Sequence, residues 1–247
     1  MNIPANLGFT AEDIAKAVQR RDVIVVIDVL RCCSTIITAL ANTACEVIPT
    51  MTVKEACDLH QKNPELILAG ERGGIKPKGF DLGNSPLDFS YQRVNGKSIV
   101  LTTTSGSKAI ISSRNAEHVF IGALLNAKAV AEASLNVATQ EKTGISLISA
   151  GTDGYFALED FIGAGAIAQG FPARNVECSD TVLGALLAFQ KARRSITKVL
   201  QSGCHARRLR SLGFEEDVRF CCRLNTSQTV PLFKDETIKP LANLSKG

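Results

Sequence analysis

The sequence predicts an α/β protein with a mainly parallel sheet flanked by helices and a helix-rich C-terminal third. Three observations point there: a nearly continuous β-branched run at residues 23–29 (VIVVIDV), its recurrence as short apolar runs each trailed by small polar residues and a helical pattern, and a chain long enough to bury a core. Strands covered on both faces by crossover helices read as unbroken Val/Ile-rich runs, whereas strands with one wet face alternate apolar and polar residues. Strand alternating with helix is the signature of parallel α/β units.

After the first run come Ser34 and Thr35, candidate caps for a helix whose apolar positions Ile36, Ile37, Leu40 and Ala44 keep roughly helical spacing. Val47 and Ile48 suggest the next strand, and Thr52-Val53-Lys54-Glu55 has the spacing of a capping box opening a helix through His60. Residues 66–69, 98–101, 119–121 and 145–148 are the further predicted strands. Beyond about Leu158 the strand signals thin out, and helices are predicted over 161–170, 181–194 and 204–212. No Pro/Ser-rich linker divides the chain, and at about 150 residues per domain its 247 residues read as one domain, 1–247, or two closely packed lobes.

Composition excludes several classes. Hydrophobic residues at 45% and charged residues at 21% are globular values, which rules out a disordered or low-complexity chain. Lys plus Arg number 28 against 24 Asp plus Glu, and this mild excess is too small for the footprint of a nucleic-acid binder. With 5% aromatic residues and no Trp there is no stacking platform for single strands either, so nucleic acid is not an expected partner and a small anionic ligand is. The eight cysteines include the adjacent pairs Cys32-Cys33 and Cys221-Cys222, which suit reduced thiols better than independent staples. The N-terminal MNIPANLGFTAEDIAKA lacks a basic segment followed by an apolar one, and no apolar run approaches the ~20 residues that cross a bilayer. A cytoplasmic protein without a membrane partner is expected. Its helical C-terminal third is a natural place for a lid or for the interface of a homo-oligomer, and Arg193, Arg194, Arg207, Arg208 and Arg210 there form either a solvated helix face or an anion-facing surface.

In open parallel sheets, ligands collect outside the carboxyl ends of the strands. Four predicted strand ends carry polar clusters: Asp28 and Arg31 with Ser34 and Thr35; Glu71 and Arg72 within GERGG; Thr102, Thr103, Thr104, Ser105, Gly106 and Ser107; and Gly151, Thr152 and Asp153. Asp28 interrupts an apolar strand, and a carboxylate there is costly unless paired, hydrogen-bonded or bound to a cation. An ion pair with Arg31 is its structural explanation; a metal or catalytic role is its functional one. The TTTSGS run offers hydroxyls and, on entering a helix near Gly106, free backbone N–H groups at one spot, which suits a phosphate-sized anion. It contains no GxxxxGK[ST] pattern, and threonine is also simply a good strand former.

The long polar stretch GERGGIKPKGFDLGNSP adds Glu71, Asp81, Asn84 and Ser85, oxygen ligands that suit Mg²⁺. Zinc is not expected, because His60, His118 and His205 are scattered, no CxxC exists and Cys204-His205 is adjacent rather than spaced as a chelate. Cys32 and Cys33 read as buried structural thiols, and Glu159 and Asp160 as capping residues ahead of a metal role.

Read together, DVLR followed by ST, then GERGG, GFDLGNSP, LTTT, AGT and LED, with LGFEEDVRFC near the C-terminus, resemble the 2-phosphosulfolactate phosphatase family over nearly the whole chain. The chain departs from the family's usual residues at Cys32-Cys33, Ser105-Gly106-Ser107 and Ser149, and it lacks acidic residues at 225–228. The resemblance implies an Mg²⁺-dependent phosphatase that converts (R)-2-phospho-3-sulfolactate to (R)-3-sulfolactate and phosphate, a reaction of coenzyme M biosynthesis. On that reading Asp28, with Glu71 or Asp81, holds Mg²⁺ against the phosphoryl oxygens. Arg31 and Arg72 clamp anionic groups, and the loop from Thr102 through Thr103, Thr104 and Ser105 to Gly106 donates to the phosphate. Ser34, Thr35, Asn84, Ser85, Gly151 and Thr152 complete the binding set. Asp28 attacking phosphorus and an activated water doing so are both open, although Leu30 stands where the DxDx[TV] motif of haloacid-dehalogenase phosphatases carries its second Asp. The alternatives are a phosphatase for another 2-hydroxy-acid phosphate and a non-catalytic binder of a phosphorylated or sulfonated metabolite.

Overall fold

A computed structural model describes residues 2–241 and contains the expected alternation of strand and helix. It runs β1 (Ile3–Gly8), α1 (Ala11–Gln19), β2 (Val23–Ile27), α2 (Cys32–Ala41), β3 (Glu46–Thr50), α3 (Val53–Lys62), β4 (Ile67–Gly70), α4 (Tyr91–Val94), β5 (Ser98–Thr102) and α5 (Gly106–Ser112). Next come β6 (Val119–Gly122), α6 (Ala127–Glu141), β7 (Ile145–Ser149), α7 (Leu158–Ala168), β8 (Val176–Cys178) and α8 (Asp180–Ala192). The chain continues through α9 (Ile196–Gln201), α10 (Cys204–Ser211) and α11 (Glu215–Cys221) to the hairpin β9 (Pro231–Lys234) and β10 (Thr237–Pro240). No helix among the described residues is long and apolar enough to cross a membrane.

The strands form one sheet in the order β4-β5-β3-β10-β9-β6-β2-β7-β1-β8. Two parallel groups, β4-β5-β3 and β6-β2-β7-β1-β8, flank the C-terminal hairpin, whose three pairings are antiparallel. The sheet is therefore mainly parallel, as predicted. Its two parallel groups run in opposed directions, yet their carboxyl ends meet: a Cβ added at Gly106, just past β5, would lie 2.5 Å from Oδ2 of Asp28, just past β2.

β2 shows why the run at its start had to be apolar throughout. Its side chains alternate between two layers: Val25 and Ile27 join Phe120, Val130 and Ile167 in one core, while Ile24 and Val26 join Ile36, Ile37 and Leu101 in the other. Each such burial contributes about 1.5–3 kcal/mol, so a polar substitution on either face would be felt.

The Thr52 capping box is present, with Glu55 N–H donating to Thr52 Oγ1 and Glu55 Oε2 accepting from Thr52 N–H. The predicted Ser34/Thr35 cap is not. Arg31 occupies the N-cap position of α2, and the two hydroxyls lie inside the helix, donating to the Val29 and Asn84 carbonyls. The sequence reading also lacks β1, β8 and the β9–β10 hairpin. That hairpin turns on Asp235 and Glu236 at φ 49° and 61°, a left-handed pair without the usual Asn-Gly signal.

Candidate active site

β2 delivers Asp28 to the carboxyl edge of the sheet and buries it, leaving 6% of it exposed. Its Oδ1 accepts the N–H of Cys32, which orients the carboxylate against the first turn of α2. The ion pair with Arg31 that would have given Asp28 a purely structural role is absent, and among the described residues Asp28 has no salt-bridge partner. Burial, reinforced by the Glu71 and Glu159 carboxylates, pushes its pKa up to about 7 despite the Cys32 N–H and the more distant Arg31 charge.

The loop after β5 closes on itself and on Glu71. Thr103 and Ser107 exchange hydrogen bonds, each backbone N–H donating to the other's hydroxyl at 2.8 and 2.9 Å. Glu71 follows β4 and accepts from Thr104 N–H through Oε1 and from Gly74 N–H through Oε2, both at 2.7 Å. Two of the amides expected to face a phosphate are thus already engaged. The amides of Ser105 and Gly106 have no protein acceptor among the described residues, and Thr104 Oγ1 is buried without a partner. Gly106 is required here, since any Cβ would collide with Asp28 and Cys32.

From the third side, Asp160 in the first turn of α7 ties β2 to β7. It accepts from Val29 N–H at 2.8 Å and Gly151 N–H at 3.0 Å instead of capping its own helix. Burial and the neighbouring Asp28 and Glu159 charges hold its pKa well above the usual carboxylate range. Gly151 and Thr152 then form a tight turn at the pocket wall, closed by Thr152–Tyr155 backbone bonds.

The fourth wall comes from α10, α11 and the loop after β4. Arg31, 3% exposed, forms a buried ion pair with Asp217 of α11 at 2.5 Å, donates to the Gly74 carbonyl and stacks over Phe214 at 4.3 Å. Ser85 donates to the other Asp217 oxygen, so it supports Arg31 rather than lining the pocket. Asn84 does line the pocket, as do His205 and Arg208 of α10. Burial, with Arg31 and Arg208 nearby, lowers the His205 pKa and keeps the ring neutral near pH 7.

Asp28, Arg31, Glu71, Asn84, Thr103, Thr104, Ser105, Gly151 and Thr152 therefore surround one pocket, with Gly106 directly behind Asp28. Thr102, Arg72, Asp81, Ser34, Thr35 and Ser85 do not line it. Thr102 Oγ1 donates to the Thr50 carbonyl and accepts from Arg72, whose guanidinium also donates to the Glu71 and Met51 carbonyls. Arg72 thus fastens the ends of β3 and β5 and takes no place in the pocket lining. Asp81 accepts from Leu68 N–H beside β4 and lines other hollows. Residues that the sequence reading did not assign to the site are Asp217, Asp160, His205 and Arg208. The first two orient Arg31 and the strand ends; the last two reach the pocket from a helix far along the chain.

The donor set fits a hard divalent cation: Asp28 and Glu71 carboxylates, Asn84 Oδ1 and Thr104 Oγ1 are all oxygen, and the last two are buried without partners. Among the described residues the one tight trio of His, Cys or carboxylate ligand atoms is Glu117, His118 and Glu141, elsewhere on the surface.

The family model described as 2-phosphosulpholactate phosphatase matches residues 9–236. A probable 2-phosphosulfolactate phosphatase of Thermotoga petrophila is 42% identical over 207 residues, covering 84% of this chain and 87% of the relative. Proteins given the same name in Clostridium beijerinckii and Carboxydothermus hydrogenoformans are 36% and 42% identical, over 93% and 84% of this chain and 96% and 84% of the relatives. Matched by the family model over residues 9–236 and by relatives of the same name at 36–42% identity over most of its length, the chain belongs to the 2-phosphosulfolactate phosphatase family.

Proposed function

We propose that this chain is an Mg²⁺-dependent phosphatase that hydrolyses (R)-2-phospho-3-sulfolactate to (R)-3-sulfolactate and phosphate. One observation carries the reading beyond family membership. Among the described residues the buried side-chain atoms without a hydrogen-bond partner, Asn84 Oδ1, Thr104 Oγ1 and His205 Nδ1, all belong to residues lining the pocket that holds Asp28, which has no salt-bridge partner there. Buried polar groups are almost always satisfied, so three orphans around one cavity mark a place built for a ligand.

Phosphoryl transfer depends on positioning and on offsetting charge. Asp28 and Glu71 would hold the cation, with Asn84 and Thr104 as further oxygen donors. Bound Mg²⁺ supplies the positive charge that balances these carboxylates and polarises the phosphoryl group. The Ser105 and Gly106 amides donate to phosphoryl oxygens. Arg31, immobilised by Asp217, presents a fixed guanidinium to the same group. Asp28 stands at the reacting end, as nucleophile or as acceptor of the attacking water's proton. Trapping a phosphoaspartate would select the first role.

The test is phosphate release by purified protein from 2-phosphosulfolactate and from a panel of 2-hydroxy-acid phosphates, with and without Mg²⁺. The reading predicts the highest kcat/KM for the sulfonated ester and loss of turnover on chelation. Preference for another acid ester would reassign the substrate; binding without turnover would make the chain a metabolite binder.

A further inference from the structure

We propose that helix α10 supplies the specificity-determining half of the pocket: His205 and Arg208 hold the anionic tail of the substrate, opposite the strand-end wall that takes its phosphate. This inference rests on the phosphatase reading above and assigns its second subsite.

The pocket is electrostatically two-sided. Asp28 and Glu71 stand at the strand ends, a wall that accepts a phosphate only together with a cation. A second anionic group has no place there. Among the described residues two cationic side chains line the pocket, Arg31 and Arg208. Arg31, fixed by Asp217 in a pair 2% and 4% exposed by side chain, is already taken by the phosphoryl group on the reading above and cannot swing to a second anion without breaking that pair. Arg208 is not committed in that way. Its contacts are Asp153 Oδ2 at 3.1 Å and the Gly73 carbonyl at 3.5 Å, and both members of the Arg208–Asp153 pair are half-exposed. Exposed pairs of this kind contribute about 0–1 kcal/mol, so exchanging Asp153 for a ligand anion costs little.

One helical turn earlier, His205 lines the same pocket and carries a buried Nδ1 with no partner among the described residues, and Asn84, 5% exposed, lines it too with a partnerless Oδ1. Residues 205 and 208 are three apart on α10 and therefore share one helix face. A neutral imidazole donates one hydrogen bond while Arg208 carries the charge, a pairing suited to a sulfonate or carboxylate on a short hydroxy-acid chain. A phosphate ester with an uncharged tail would leave both groups unused.

The experiment separates the two halves by titration calorimetry, using inorganic phosphate with Mg²⁺ as one probe and 3-sulfolactate as the other. Wild-type protein is compared with Arg208→Gln, His205→Asn and Arg208→Lys, each checked for an unchanged melting profile. The 3-sulfolactate Kd should rise at least about tenfold in Arg208→Gln and about threefold or more in His205→Asn, while the phosphate Kd moves by less than about threefold. Arg208→Lys should recover part of the loss. Equal weakening of both probes would assign α10 to the phosphate and overturn the proposal, as would no weakening of 3-sulfolactate. Wild-type protein that binds phosphate but not 3-sulfolactate would contradict the proposed substrate itself, a different failure.

Discussion

Replacing Asp28 by Asn should abolish turnover and stabilise the fold above neutral pH. Asn keeps the shape and the Oδ1 that accepts Cys32 N–H, and removes a charge that has no salt-bridge partner among the described residues. Asp28 titrates at about 7 in the folded protein against an ordinary 3.8. Because the native state holds this proton to higher pH than the unfolded chain, stability is full below about pH 4, falls as pH rises and stays low above about pH 7. At about 1.4 kcal/mol per pH unit, the gap sets a ceiling of about 4 kcal/mol. If relaxation of the site halves it, the variant should melt about 4–8 °C above wild type at pH 8 in a chelator, and level with it near pH 4. Calorimetric scans across pH 4–9, paired with phosphate-release assays, measure both effects. A variant less stable than wild type by the same amount at every pH would refute the reasoning, because Asp28 would then be compensated within the fold.

Asp217→Asn should cost about 3–5 kcal/mol in urea unfolding, since it leaves Arg31 buried without its counter-charge, and should lower kcat/KM through misplacement of that guanidinium. Arg72→Gln should lose about 1–2 kcal/mol of stability from its contacts to Thr102, Glu71 and Met51, with kcat within about threefold of wild type. A large kcat loss would return Arg72 to the site. Gly106→Ala should cost about 1–3 kcal/mol and most activity, because the new methyl meets Asp28 and Cys32. Its control, Gly184→Ala in the middle of α8, meets only Phe161 Cζ at 3.6 Å and should gain about 0.5–1 kcal/mol.

What the residues disclosed and what they concealed follow one physical division. β2 through β7 were legible because crossover helices cover both faces of each strand, which forces local β-branched runs such as VIVVI and SIVLT. β1, written IPANLG, carries Pro, Asn and Gly and owes its strand to parallel pairing with β7 and β8, a non-local cause. The hairpin β9–β10 is four residues a side with a proline in each strand, and only its insertion between β3 and β6 makes it part of the sheet.

The site divides in the same way. Asp28 announced itself as a carboxylate after a buried strand, and TTTSGS as a polar strand end. Nothing local distinguishes Arg31, which lines the pocket, from Arg72, which braces its outside; their partners Asp217 and Thr102 decide. Asp81 has the right chemistry but is held by Leu68 N–H on the other side of β4's loop. His205 and Arg208 lie on a helix of strongly polar composition that reads as a solvated face until the fold turns it towards Asp28.

On the proposed mechanism, opposed groups of strands bring Asp28, Glu71 and the Ser105–Gly106 amides to one phosphate. Steady-state release of phosphate from 2-phosphosulfolactate, with Mg²⁺ titrated against chelator, in wild type and Asp28→Asn, tests it most directly. Turnover should follow Mg²⁺ in the wild type and fall by more than about 10²-fold in the variant. Turnover in Asp28→Asn comparable to wild type, or unaffected by chelation, would contradict it.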